Sequence, residues 1–352
     1  MLDNAKKLSS QESVKDCYKA KKLKKICQPD KITLGEMYAR VYAKPLIKLK
    51  GQYIEGPRYQ DLKPISYKRM LKTGLQASTV ARAAKVYYQA IKTGSHISLG
   101  FTSNAGTSGL RQLIASLIAA GYVHSITCSA GALEQDFMKS FSRFRLGVYR
   151  PDDGLLHNNG INRTGNIYLS NSCYIGFESK MKKFLDTYKK RPVIMSELFN
   201  KLGLNMSDKN SIIRQAAIMG VPIFCPCPLD SALGDLWYFH MKDVAVDSVS
   251  DHVNAINNLL YHDRRCIISL GGGTQKHAIC NAHLIAGPAD YAVYLNNSVE
   301  YQGSNAGATV SEAVSWGKVK NRAKKIKIHG DFILNFPLVV AVLKSLLQGE
   351  DV

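Results

Sequence analysis

No run in this 352-residue chain is apolar enough to span a bilayer; the longest candidates, such as Phe336 to Leu347, are too short and are interrupted by Lys344. The N-terminus has lysines but no apolar core, so no secretory signal is read there and a cytoplasmic protein without a membrane partner is expected. CxxC pairs are missing as well. The eight cysteines (Cys17, Cys27, Cys128, Cys173, Cys225, Cys227, Cys266 and Cys280) are scattered, and the nearest two form Cys225-Pro226-Cys227. Such spacing reads as buried thiols in a reducing compartment, with no metal site. The GxGxxG dinucleotide fingerprint, internal repeats and long low-complexity linkers are also absent.

Acidic side chains are scarce: 27 Asp plus Glu stand against 47 Lys plus Arg, for a net charge of +20. Residues 1–92 hold 21 basic and 7 acidic side chains, and Lys15 to Lys25 is the densest part. A patch of this kind can meet nucleic acid, an acidic protein or an anionic surface. No interleaved aromatics or nucleic-acid motif accompany it. The expectation is therefore a basic, helical N-terminal extension over residues 1–66 with no nucleic-acid partner.

The remainder, residues 67–352, reads as one α/β domain. Residues 67–92 are amphipathic at helical spacing, with Met70, Leu71, Val80, Ala83, Val86 and Tyr87 as the apolar positions. A strand is predicted at 96–101, a small-residue loop at 102–109, a helix at 110–120 ended by Gly121, and a strand at 122–128. Ile212 to Met219 reads as a helix and Val221 to Cys225 as a strand. Cys266 to Leu270 is a strand, Gly271-Gly272-Gly273 a turn, Thr274 to Ala286 a helix, and Tyr291 to Leu295 a further strand. Strands alternating with helices of this length indicate a doubly wound, mostly parallel sheet covered on both faces.

Ligands of such sheets bind beyond the carboxyl ends of the strands, where small residues let backbone approach a phosphate. Three segments suit that place: Thr102 to Gly109, Ser129-Ala130-Gly131, and the glycines 271–273. Polar and aromatic residues fall in the same loops, namely Glu134, Asp230, Asp235, His277, Glu300, Glu312 and Trp316. Carboxylates with a tryptophan fit an elongated polycation through ion pairs and cation–π contact. Within Glu312-Ala313-Val314-Ser315-Trp316-Gly317-Lys318, a lysine set beside an indole ring is a candidate nucleophile toward a carbonyl or imine. His277 reads equally as a catalytic or a structural histidine.

Six ordered blocks resemble the deoxyhypusine synthase family: TSNAGTSGLR (102–111), SAGALEQD (129–136), GINRTGN (160–166), CPLDSALGD (227–235), LGGGTQKH (270–277) and EAVSWGK (312–318). The resemblance runs from about Ser95 to the C-terminus. It implies a Rossmann-like fold and a homotetramer whose active sites lie between paired subunits. It also implies NAD-dependent transfer of the aminobutyl group of spermidine, through an enzyme-lysine imine, to a lysine of the translation factor 5A precursor. On this resemblance Lys318 is the nucleophile, and Glu312 and Trp316 line the polyamine channel. Asp235 and His277 hold or deprotonate the substrate amines. Glu134, Gln135, Gly303, Ser304 and Asn305 belong to the substrate site. NAD contacts are implied for Ser103, Asn104, Ala105, Gly106, Thr107, Ser129, Ala130, Gly131, Gln135, Asp230, Gly272, Asn297, Ser298, Asp331 and Phe332.

Two positions depart from the family pattern. Gln135 stands where a second glutamate is usual, and Asn305 where Gly-Ser is usually followed by aspartate. Both changes remove a negative charge where a polycation is expected while keeping side-chain length. Two alternatives stay open on the sequence: an aminobutyltransferase using a free polyamine as acceptor, of the homospermidine synthase type, and a weakly active partner subunit of a paralogous enzyme.

Overall fold

The computed structural model describes residues 49–188 and 191–349, so the Lys15–Lys25 run lies outside the described residues. Helices α1 (Tyr67–Lys72) and α2 (Leu75–Lys92) lead into β1 (His96–Phe101), α3 (Ser103–Thr107), α4 (Leu110–Ala119), β2 (Ser125–Cys128) and α5 (Ala130–Lys139). Next come β3 (Arg145–Leu146), α6 (Asp153–Asn158), β4 (Ile161–Thr164), β5 (Ile167–Ser170) and α7 (Asn171–Thr187). The chain continues through α8 (Met195–Leu204), α9 (Ile212–Ile218), β6 (Ile223–Phe224), α10 (Ala232–His240) and α11 (Ser248–Leu260). It ends in β7 (Arg265–Leu270), α12 (Thr274–Ala286), β8 (Ala289–Asn296), α13 (Val310–Ser315), β9 (Val319–His329) and α14 (Phe332–Gln348).

The main sheet has the order β6-β2-β1-β7-β8-β9, and every pairing in it is parallel. Strands β1 and β7 are buried at every position, as expected for central strands covered on both faces. Helices α2 and α14 pack together on one face; α11, α12 and α13 cover the other. From β1 the chain winds outward through β2 to β6, and from β7 it winds the opposite way through β8 to β9. The junction between β1 and β7 is thus the topological switch point, where the loops part and leave a crevice. No helix among the described residues is long and apolar enough to cross a membrane.

The sheet contains one strand that the residue pattern did not suggest. β9 reads VKNRAKKIKIH, and only Val319 and Ile328 in it are buried. An edge strand needs few apolar residues, and exposed lysines on it discourage pairing with another chain. Residues 145–170 hold a second sheet, β3-β5-β4, that is antiparallel. Its hairpin turns at Gly165-Asn166, with Gly165 in the left-handed region (φ 59°) that such two-residue turns demand. The 102–109 stretch, read as a loop, contains α3, and residues 296–318 contain α13 and a 3-10 turn at Glu300–Gln302.

The described part of the N-terminal extension also differs from expectation. Residues 49–66 contain no helix. They are fastened to the domain instead: Tyr59 N donates to Ser116 Oγ (2.7 Å), and Ile65 N donates to Ala341 O (3.1 Å). Lys344 Nζ donates to the carbonyls of Tyr59, Gln60 and Leu62. These bonds make residues 51–66 part of the domain surface, not a separate tail.

Candidate active site

Lys318 sits where α13 hands over to β9. Thr309 caps α13 by accepting from Glu312 N (3.1 Å), a Thr-x-x-Glu start, and Val310 and Ala313 bury its inner face. Trp316 ends the helix, and Gly317 turns the chain in the left-handed region (φ 71°). Lys318 N then donates to Ala313 O, while its carbonyl accepts from Ala289 N at the start of β8. The side chain is 6% exposed, and its Nζ lies 5.5 Å from the centre of the Trp316 ring.

The Lys318 side chain lines a cavity of about 400 Å³ between α12, α13 and β8. Of the residues singled out in the sequence, His277, Gly303, Asn305, Glu312, Trp316 and Lys318 all line it. So do Lys276, Cys280, Asn281, Leu284 and Tyr294, which the sequence reading passed over. A spacing signal was available for four of these: positions 276, 280, 281 and 284 fall on one face of a helix with His277. The Nδ2 of Asn305 is buried and has no hydrogen-bond partner. Ser304 stays on the exposed loop, where its carbonyl accepts from Gly307 N and Ala308 N.

Glu134, Gln135 and Asp235 do not line this cavity. The sheet order explains why. They follow β2 and β6, whereas the cavity lies over β8, three strand spacings or about 14 Å from β2. Glu134, 6% exposed, instead reaches the start of α10, where its Oε2 accepts from Ala232 N (2.7 Å). Burial pushes its carboxyl up to about 7, and the nearby Asp235 adds to the rise, against the lowering effect of the Ala232 and Ser231 bonds. Gln135 Oε1 accepts from the Thr107 hydroxyl. Within one chain the expected substrate residues therefore form two groups.

The residues expected to meet NAD gather along the carboxyl edge of the sheet. Ser103, Asn104, Ala105, Gly106 and Thr107 form α3 beyond β1; Ser129, Ala130 and Gly131 open α5 beyond β2; Gly272 follows β7. Asn297 and Ser298 follow β8, while Asp331 and Phe332 follow β9. Asp230 is exposed on the loop after β6. The members of this set are not equally accessible. Ala105, Gly106 and Thr107 are buried, and a Cβ on Gly106 would lie 2.3 Å from Ala132 O, so this glycine lets α3 pack on α5. Asp331 caps α14 through Ile333 N (2.8 Å), and Phe332 is buried beside Gly271.

Two helix starts at this edge fit a dinucleotide. No side chain caps α5 at Ser129 or α12 at Gly273, in contrast to α10, α13 and α14, which Ser231, Thr309 and Asp331 cap. Their first N–H groups point along the helix axis beyond its start, where an anion is stabilised. Gly131 lets Ser103 of α3 pack against the start of α5, since a Cβ there would stand 2.8 Å from Ser103 Oγ. The neighbouring motif residues are structural: Arg111 pairs with Asp136 (2.5 Å) and Asp208 (2.6 Å), and Asp136 accepts from Ile212 N and Ile213 N at the start of α9.

An open parallel sheet with a crevice at its switch point and a lysine-lined cavity beside it is the architecture of an α/β enzyme. A family model for deoxyhypusine synthase matches residues 67–343. The "Probable deoxyhypusine synthase" of Thermococcus kodakarensis is 36% identical over 320 residues, covering 83% of this chain and 94% of that protein. The deoxyhypusine synthase of Caenorhabditis elegans is 39% identical over 271 residues, covering 74% of this chain and 72% of its own length. A crystal structure of a deoxyhypusine synthase family protein from Entamoeba histolytica superposes with a TM-score of 0.58 at 26% identity, covering 84% of this chain and 96% of that one. The chain belongs to the deoxyhypusine synthase family, whose members are aminobutyl-transferring enzymes.

Proposed function

We propose that this protein transfers the aminobutyl group of spermidine to a lysine of the translation factor 5A precursor, with NAD as cofactor and Lys318 as the covalent carrier. The observation that carries the reading is a lysine almost wholly withdrawn from water, beneath Trp316 and within one cavity with Glu312 and His277. NAD, held at the starts of α5 and α12 and by Asp331, would supply the redox chemistry: oxidation of the carbon beside the secondary amine of spermidine and reduction of the last imine. In between, the Lys318 amine attacks the substrate imine carbon, that carbon's bond to the original nitrogen breaks, and 1,3-diaminopropane leaves. The acceptor lysine then displaces Lys318 from the same carbon by the same exchange, which regenerates the free Lys318 amine.

The other residues divide the remaining work. Glu312 and His277, both exposed to the cavity, pair with the terminal amines, and the Trp316 face packs along the methylenes. Asp331, at the end of β9, is the carboxylate available to a nucleotide hydroxyl, and the uncapped starts of α5 and α12 receive the phosphates. Glu134 and Asp235 serve a site only if a second copy brings them across. A homotetramer with sites between paired copies, working in the cytoplasm, is accordingly part of the proposal.

The test is trapping. Protein incubated with NAD and spermidine labelled in the aminobutyl moiety is reduced with borohydride, and the label should be recovered on Lys318. Lys318→Arg should abolish capture while NAD still binds, because a guanidinium cannot surrender its proton at working pH. A reducible adduct on the arginine variant would overturn the assignment. Label passing to free polyamine, and not to the protein acceptor, would favour the homospermidine-type alternative.

A further inference from the structure

The segment between β8 and α13, residues 297–309, holds expected cofactor contacts at its start (Asn297, Ser298) and expected substrate contacts in its middle (Gly303, Ser304, Asn305). It has little regular structure beyond the turn at Glu300–Gln302. Two lysines from different elements nevertheless bind its backbone. Lys276, on α12, is 1% exposed and donates from Nζ to the carbonyls of Asn305 (2.6 Å), Ala306 (3.3 Å) and Ala308 (3.0 Å). Lys327, on β9, donates to the carbonyls of Ser298 (2.9 Å) and Gly307 (2.6 Å). We propose that Lys276 and Lys327 are positioning residues whose ammonium groups splint residues 297–309 and so fix the cofactor end and the substrate end of that segment relative to each other.

Hydrogen-bond arithmetic supports the charged form in this role. Three carbonyls around Lys276 match the three donors of an ammonium; a neutral amine offers two, and its lone pair would face an acceptor. The Tyr294 ring lies 4.5 Å from the Lys276 Nζ, a further contact that suits a cation. The groups facing Lys276 are Cys280 on its own helix, Tyr294 on β8, Glu312 on α13, Lys318 just before β9 and Lys327 on β9. Burial draws the Lys276 ammonium down to about 8, with Lys327 and Lys318 adding to the fall, against the opposing pull of Cys280 and Glu312. The splint should hence weaken as pH rises through that value.

This inference rests on the reading of the Lys318 cavity as the reaction site, so its main measurement is independent of activity. Amide exchange across residues 297–309 is followed in the ligand-free protein, in Lys276→Met, in Lys327→Met and in Lys344→Met. The last removes a lysine that binds three carbonyls elsewhere, at residues 59–62. Each of the first two variants should lose protection of the segment by about tenfold or more, with β7 and β8 unchanged. Lys344→Met should leave it untouched. In the unsubstituted protein, protection corrected for intrinsic exchange should fall through about pH 8, and Lys327→Met should move that midpoint upward by removing a like charge. For spermidine turnover, the KM should rise about tenfold in Lys276→Met while kcat stays within about threefold. Unchanged protection in a folded Lys276→Met protein would overturn the proposal, as would equal loss across β7 and β8, which would make Lys276 a general stability residue. An unsubstituted protein inactive on spermidine would refute the proposed function, and the exchange data would still decide the splint.

Discussion

Replacing Glu134 with glutamine should reverse part of the pH dependence of stability. The Glu134 carboxyl is raised from 4.5 to about 7, chiefly by burial, so folding disfavours its ionised form. Between those values the unfolded chain has lost the proton and the folded one retains it, so stability falls as pH rises. A shift of roughly 2.5 units corresponds to about 3 kcal/mol, full by pH 8 and absent at pH 4. Glutamine cannot ionise and still presents an oxygen to Ala232 N, although the neutral bond is weaker by about 1 kcal/mol than a charged one. The assay is urea unfolding of both proteins at pH 5 and pH 8, with NAD absent. Glu134→Gln should lose less stability across this interval, the double difference amounting to about 2–3 kcal/mol. Comparing the two intervals removes the contributions of His96, Asp251 and other titrating groups common to both proteins. Identical pH dependence in the two proteins would refute the reasoning, and would mean that the carboxyl is solvated in the folded state.

Three further outcomes follow from the geometry. Asn305→Asp should tighten spermidine by about tenfold in calorimetry with NAD present, since it restores a carboxylate at the Lys318 cavity; Gln135→Glu alone, bonded to Thr107 away from that cavity, should change it little. Gly106→Ala should lower the melting temperature sharply, by an overpacking penalty of about 2 kcal/mol or more, because the new methyl meets Ala132 backbone; an unchanged melting temperature would rule out that contact. His96 is held down to about 3, mainly by burial and then by His262 and His124, so its share of stability is full above pH 6.5 and is lost as pH falls toward 3. His96→Asn should flatten this acid limb in thermal melts.

Central strands and the small-residue segments beyond them were readable in the sequence because they depend on near neighbours. HISLGF and RCIISL are buried along their whole length, and the small residues after β1, β2 and β7 mark the places where backbone must come close. The Trp316–Gly317–Lys318 setting was legible for the same reason: a capped helix, its end and a left-handed glycine act within one turn. β9 was not legible. Its lysines obscure the alternation, and only pairing with β8 makes it a strand.

The division of the site was beyond the reach of sequence altogether. Glu134, Gln135 and Asp235 occur in blocks as specific as those of Lys318, yet strand order sets the first two three strand spacings from its cavity and Asp235 four. Order in a sheet depends on contacts between residues far apart in the chain, and no local pattern records it. The same holds for Lys276, an ordinary helical lysine in sequence. Only tertiary packing seals it from water and surrounds its ammonium with three carbonyls from another segment. The sequence by itself determined the kind of chemistry available to this protein, through residue types and local turns; the tertiary structure decided which of those groups meet.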